Sequence, residues 1–163
     1  MPLRFAPMTE TDLDAVLAIE KDSFIKPWSR SSFLEDLSIK NSWNHIAFNN
    51  YGVDNSCEKK QIIAYLCFRL VINEMHILKI AVARQWRNQG VASRLLDRSL
   101  KSAVKNKADS AFLEVRASNT AAITFYTQFG FQVIGRRPNY YSTDYYLNGR
   151  EDALLMMKKF KEL

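Results

Sequence analysis

The chain is predicted to fold as one α/β domain (1-163), a central mixed β-sheet flanked by about four helices. Its 163 residues match a domain of roughly 100 to 200. With 47% hydrophobic and 25% charged residues, it has the composition of a globular chain able to bury a core. Segments of period two alternate with segments of helical period in the order β-α-α-β-β-β-α-β-α-β-β. The strand, helix and strand in the second half form a crossover that should be right-handed. No internal repeat or low-complexity tract interrupts this order.

Leu3 to Ala6 reads as a short strand, and Thr9-Glu10-Thr11-Asp12 is a capping-box-like start for a helix to about Phe24. Leu13, Val16, Leu17 and Phe24 form its apolar side, and Pro27 stops it. Ser29 caps a second short helix through Phe33 and Leu37, and His45 to Phe48 is a strand. Asn49 to Lys60 is polar and aperiodic, an exposed hairpin loop too short for a domain linker. Gln61 to Ile72 and Met75 to Ala83 are strands separated by a tight turn at Asn73-Glu74. From Gln89, the recurrence of Val91, Ala92, Leu95, Leu96, Ser99, Leu100, Ala103 and Val104 every three or four residues defines an amphipathic helix. Ala111 to Arg116 is a strand. Asn119 then caps a helix carrying Ala122, Ile123, Tyr126 and Phe129 that Gly130 ends, and Phe131 to Gly135 and Ala153 to Met157 are the last strands.

Several function classes are disfavoured. The longest apolar run, Ile62 to Phe68, is far short of the roughly 20 residues that span a bilayer. Met1 to Glu20 has no continuous apolar block and carries Glu10, Asp12, Asp14 and Glu20, so a cytoplasmic protein is expected. Cys57 and Cys67 are too few for a disulfide framework and do not form a CxxC. His45 and His76 lie in apolar segments without a partner four residues on, and are read as packed or surface residues with no metal expected. The balance of 23 Lys and Arg over 17 Asp and Glu, a formal charge of +6, favours polyanionic ligands without choosing between phosphates and nucleic acid.

The informative stretch runs from Ile80 through Ala81, Val82, Arg87, Asn88, Gln89, Gly90 and Val91 to Ala92. A strand leads through a loop into a helix whose free N–H groups and positive dipole end can bind phosphate, and Gly90 lets the backbone approach a ligand. There is no GxxxxGK[ST] and no GxGxxG. RxxGxA by itself also fits an ordinary helix start.

The rest of the order adds specificity. Leu113-Glu114-Val115-Arg116-Ala117-Ser118-Asn119 precedes Ala122 to Phe131, with Arg136-Arg137-Pro138-Asn139-Tyr140-Tyr141 and Glu151 to Met156 after it. Together with Phe24 to Ser29 and Phe33, these segments resemble the Gcn5-related N-acetyltransferase (GNAT) superfamily, and within it the bacterial RimI type, the ribosomal-protein-alanine N-acetyltransferases. The likeness spans nearly the whole chain.

The resemblance implies a GNAT acyl-CoA N-acyltransferase fold with acetyl-CoA as cosubstrate. Its pantetheine arm would lie beside Lys79 to Val82, its pyrophosphate over Asn88 to Ser93, and Asn119 would add a contact. The family's general base falls on Glu114 and its acid on Tyr126. Ala92 stands where the family often has glycine, and the stretches 49–60 and 142–150 look long for the subgroup.

The residue chemistry is compatible. A carboxylate can accept the proton of an α-ammonium, a phenol can protonate a departing thiolate, and strand N–H groups near Val82 can stabilise an oxyanion. Asn119 also reads as a pure N-cap. Trp28 reads either as a residue beside the acceptor peptide or as a helix-packing residue, and Arg136, Arg137, Tyr140 and Tyr141 either end a strand or line an acceptor groove. The expected activity is transfer of acetyl to a protein N-terminus, that of a ribosomal protein first, by direct attack in a ternary complex. The expected assembly is a monomer or weak dimer without membrane or direct nucleic-acid binding. A small-molecule amine acetyltransferase is the alternative, and a nucleic-acid-binding module is the reading from a different class.

Overall fold

The computed structural model describes residues 2–51, 59–142 and 149–160. In chain order the elements are β1 (Arg4–Pro7), a 3-10 turn (Glu10–Asp12), α1 (Leu13–Ser23), α2 (Arg30–Ser38), β2 (Ser42–Tyr51), β3 (Lys59–Val71) and β4 (Glu74–Val82). A second 3-10 turn (Arg84–Trp86) follows, then α3 (Val91–Lys105), β5 (Ser110–Arg116), α4 (Thr120–Gln128), β6 (Gln132–Ser142) and β7 (Arg150–Lys159). This is the expected order. The strands form one sheet, β1-β2-β3-β4-β5-β7-β6, with β4 and β5 parallel and the other neighbours antiparallel.

Each face of the sheet is covered by helices, and the helical period decides which residues go inward. On one face, Val91, Leu95, Leu96, Leu100 and Ala103 of α3 and Tyr126 of α4 pack on Ile77, Val82, Leu113 and Val115. On the other, Leu13, Val16 and Ile19 of α1 and Phe33 of α2 pack on Ile46, Tyr65, Cys67 and Ala81. Two of the expected caps form: Ser29 Oγ accepts the Ser32 N–H at 3.1 Å, and the Thr9 N–H donates to Asp12 Oδ2 at 2.8 Å. Among the described residues, no helix is long and apolar enough to cross a membrane.

Several boundaries differ from the sequence reading. The first strand is Arg4–Pro7, one residue later than expected. Residues 49–51 and 59–60, expected in the loop at 49–60, are strand, and residues 52–58, Cys57 among them, lie outside the described residues. The β3–β4 turn is Ile72-Asn73, and Glu74 already pairs with Val71. Ile72 takes a φ of +57° there, a conformation β-branched residues disfavour, which is why the turn was expected one residue later. The last two strands are longer than expected. β6 continues through Pro138 and a left-handed Asn139 by means of a bulge between Arg137 and Tyr141. Of the expected stretch 142–150, residues 143–148 also lie outside the described residues.

One irregularity positions everything that follows. β4 and β5 pair only from Glu74 with Ser110 to Ile77 with Leu113. Beyond that point β4 stays with β3 as far as Val82, and β5 stays with β7 as far as Arg116. The break coincides with a bulge in β4, where Leu78 is an extra residue opposite the Cys67–Phe68 step. Half the sheet therefore diverges from the other half, and the gap has unpaired backbone on its edge.

Candidate active site

A cleft of about 1000 Å³ opens at the divergence of β4 and β5. Of the residues singled out in the sequence, Trp28, Ile80, Glu114, Asn119, Tyr126, Tyr140 and Tyr141 line it. Ala81, Val82, Arg137 and residues 87–93 are not in its lining. Ala81 and Val82 instead bury their side chains in the cores of opposite sheet faces, which leaves only their backbone for a ligand.

Glu114 sits in β5 opposite Leu155, and its carboxylate is held by Arg137 at 3.2 Å. Leu113 and Val115 on either side pack into the α3/α4 core, so strand alternation turns Glu114 to the α1/α2 face. Arg137, expected in an acceptor groove, thus reaches the proposed base, and its guanidinium also lies 5.4 Å from the Tyr140 ring. Arg136 instead pairs with Asp152 at 2.7 Å.

Tyr126 projects from α4, buried against the edges of Phe125 and Phe131 at 5.2 and 5.7 Å. Burial first, and the neighbouring Tyr141 second, push its phenol well above the ordinary tyrosine range, so it carries its proton at neutral pH. Tyr141 itself is pushed up to about 12, mostly by burial and then by Glu114. Asn119 is the N-cap of α4, its Oδ1 accepting the Ala122 N–H at 3.1 Å. The capping reading therefore holds and uses only one end of the amide.

The loop into α3 has the backbone of an anion site. Asn88 and Gly90 adopt φ of +59° and +74°, and Gly90 is the N-cap, with no side chain to satisfy the first-turn N–H groups. A Cβ on Gly90 would meet nothing within 4 Å, so its conformation, and not crowding by the protein, is what favours glycine here. Arg87 is occupied: Nε donates to Val82 O at 2.9 Å and Nη2 to Ser23 Oγ at 3.1 Å. It braces the loop against α1 and the end of β4.

Two polar clusters were not found from the sequence. Glu20, fully buried in α1, accepts the Trp28 N–H at 2.6 Å, the Tyr65 hydroxyl and the Lys79 ammonium. Burial and the Glu20 bond drive the Tyr65 phenol far above its usual range. Across the cleft, Arg116 donates to Glu151 at 2.8 Å and to Ser142 O at 2.9 Å while covering the Tyr141 ring, and Glu151 also accepts the Ser118 N–H at 3.3 Å. The signal for the first cluster was present. Glu20 continues the apolar stripe of Leu13, Val16 and Leu17, and Lys79 interrupts the apolar run Ile77 to Val82. Trp28 packs on Phe33 at 5.2 Å, as its packing reading expects, and also lines the cleft.

The acetyltransferase (GNAT) family matches residues 13–131. The [ribosomal protein bS18]-alanine N-acetyltransferase of Escherichia coli (strain K12) is 32% identical over 146 residues, 90% of each chain. The crystal structure of the ribosomal-protein-S18-alanine N-acetyltransferase from Escherichia coli superposes with a TM-score of 0.83 at 29% identity, covering 99% of this chain and 96% of that one. NAA60 of Arabidopsis thaliana in complex with acetyl-CoA also reaches 0.83, at 18% identity over 98% of this chain and 99% of that one, a likeness of fold alone.

Proposed function

The chain belongs to the acetyltransferase (GNAT) family, and from that premise we propose that it transfers an acetyl group from acetyl-CoA to the N-terminal α-amine of a protein. The first candidate acceptor is the N-terminal alanine of a small-subunit ribosomal protein, in the cytoplasm. Residues 1-163 are read as one domain, because both cores share one sheet.

The observation that carries the proposal is the meeting, in one cleft at the β4–β5 divergence, of a carboxylate and a proton-bearing phenol. The donor set fits acetyl-CoA. N–H groups of Val91, Ala92 and Ser93 behind Gly90 suit a pyrophosphate, and the β4 edge at Ile80 to Val82, unpaired with β5, suits the amides of a pantetheine arm beside Asn119. Bound acetyl-CoA supplies a thioester-activated acetyl group.

The chain's residues do the rest. Glu114 takes the proton of the incoming α-ammonium, directly or through water, and the Arg137 ion pair fixes where its carboxylate points. Tyr126 keeps its proton until a thiolate needs it and then donates it to the sulfur. Edge N–H groups of β4 donate to the acyl oxygen. A terminal α-amine, with a reference pKa of about 7.7 to 8.0 against about 10.4 for lysine, asks much less of a carboxylate base.

The cleft also bears on the alternative acceptor. Glu114 is the one carboxylate among its described lining residues, against Lys26, Lys79 and Arg116, which is poor ground for a polyamine and compatible with a peptide. The test is acetyl transfer, read by mass spectrometry, to an alanine-initiated ribosomal peptide, an N-terminally blocked lysine peptide and spermidine. Faster acetylation of either control overturns the α-amine reading. Tyr126→Phe should lower kcat about 100-fold with little change in acetyl-CoA affinity, and Glu114→Gln should remove part of the pH dependence of the rate with peptide binding largely kept.

A further inference from the structure

Lys79 is the odd residue of the cleft floor. Its side chain is only 9% exposed, and its ammonium pairs with the fully buried Glu20 carboxylate. Two rings complete its surroundings, Phe24 with its centroid 3.9 Å from Nζ and Trp28 at 5.1 Å. A carboxylate flanked by aromatic faces is a receptor for an organic ammonium, and here the chain's own side chain fills it. Phe24, Trp28 and Lys79 all line the cleft, on the same face of the sheet as Glu114.

We infer that Lys79 is a specificity-determining residue. By filling the Glu20–Phe24–Trp28 receptor from within, it denies that receptor to a cationic side chain at the acceptor's N-terminus and so selects small, uncharged first residues. The selection works by charge: a cation arriving beside Lys79 meets like charge, and the buried carboxylate that would compensate it is already neutralised. This deepens the α-amine reading and rests on it.

The test opens the receptor. Lys79→Ala removes the plug and leaves Glu20, whereas the double variant Glu20→Gln/Lys79→Met removes the receptor's charge as well. Propylammonium chloride, which reproduces the end of the deleted side chain, should raise the melting temperature of Lys79→Ala and leave the wild type and the double variant unmoved. In acetyl transfer to otherwise identical peptides beginning with Lys or Ala, the ratio of kcat/KM for Lys to that for Ala should rise about tenfold in Lys79→Ala and stay low in the double variant.

An unchanged ratio in a Lys79→Ala protein that keeps its acetyl-CoA affinity overturns the inference, as does propylammonium stabilising the double variant equally. Should Lys79→Ala be recovered unfolded, refolding with propylammonium becomes the readout: recovery supports the receptor and failure overturns it. If the wild type acetylates neither peptide, the α-amine reading falls, while the propylammonium measurements still decide the receptor.

Discussion

The two walls of the cleft are fastened by different chemistry. The wall formed by the end of α1 and the segment to Trp28 hangs on Glu20, a carboxylate with no exposure that satisfies a backbone N–H, a phenol and an ammonium at once. The opposite wall, at the ends of β5, β6 and β7, hangs on Arg116, whose side chain is 21% exposed, in its pair with Glu151, and on Arg137, whose side chain is 58% exposed. A charge out of reach of water has no alternative partner, so the first wall is fixed. The second can exchange protein contacts for solvent and adapt to what lies in the cleft.

Glu20→Ala should break the first wall most severely. It strands the Lys79 ammonium and the Tyr65 and Trp28 donors, at a cost of about 3–5 kcal/mol in urea unfolding. Glu151→Gln on the other wall should cost about 1–2 kcal/mol, because Arg116 can turn to water. Equal losses at the two positions would abolish the distinction.

Acid sharpens it further. Burial raises the Glu151 carboxyl, but its bonds with Ser118 and Arg116 outweigh burial and hold it below the ordinary glutamate value of about 4.3. The stabilisation is therefore present above that value and lost as pH falls below it, through the folded pKa. Hydrogen exchange from β6 and β7 should accelerate on acidification below about pH 4.3, and Glu151→Gln should flatten that dependence.

The smallest expected effect lies outside both walls and serves as the control. Ile72, 95% exposed with a φ of +57°, should be relieved by Ile72→Asn, with a gain of up to about 1 kcal/mol and unchanged acceptor kinetics.

The element order, the Ser29 and Asn119 caps and the helix starting near Gly90 were legible in the sequence because each rests on local chemistry: a side chain reaching a nearby N–H, or a period of three to four residues. The residues that brace the cleft were not. Lys79 meets Glu20 across 59 positions and Arg116 meets Glu151 across 35, and a charged residue on a strand or helix gives no local sign of its distant partner. Arg137 was singled out but its partner was not, since its reach to Glu114 depends on how β6 and β5 flank β7. The β6 strand looked short because Pro138 and Asn139 are turn formers, and here they form a bulge that the β7 partner carries through.

The extra residue at Leu78 also constrains how this lineage can vary. Met75 and Ile77 face the α3/α4 core, and past the bulge Ile80 and Val82 face it again, while Lys79 and Ala81 turn the other way. Since facing alternates with a period of two, an unbulged strand of the same length would send Lys79 into the α3/α4 core and Ile80 against Glu20. Substitutions along this strand change one contact each, but ironing out the bulge at constant length would invert four positions together. Composition between Glu74 and Val82 can drift, yet length and bulge are tied together there: a strand one residue shorter keeps this facing only by losing the bulge.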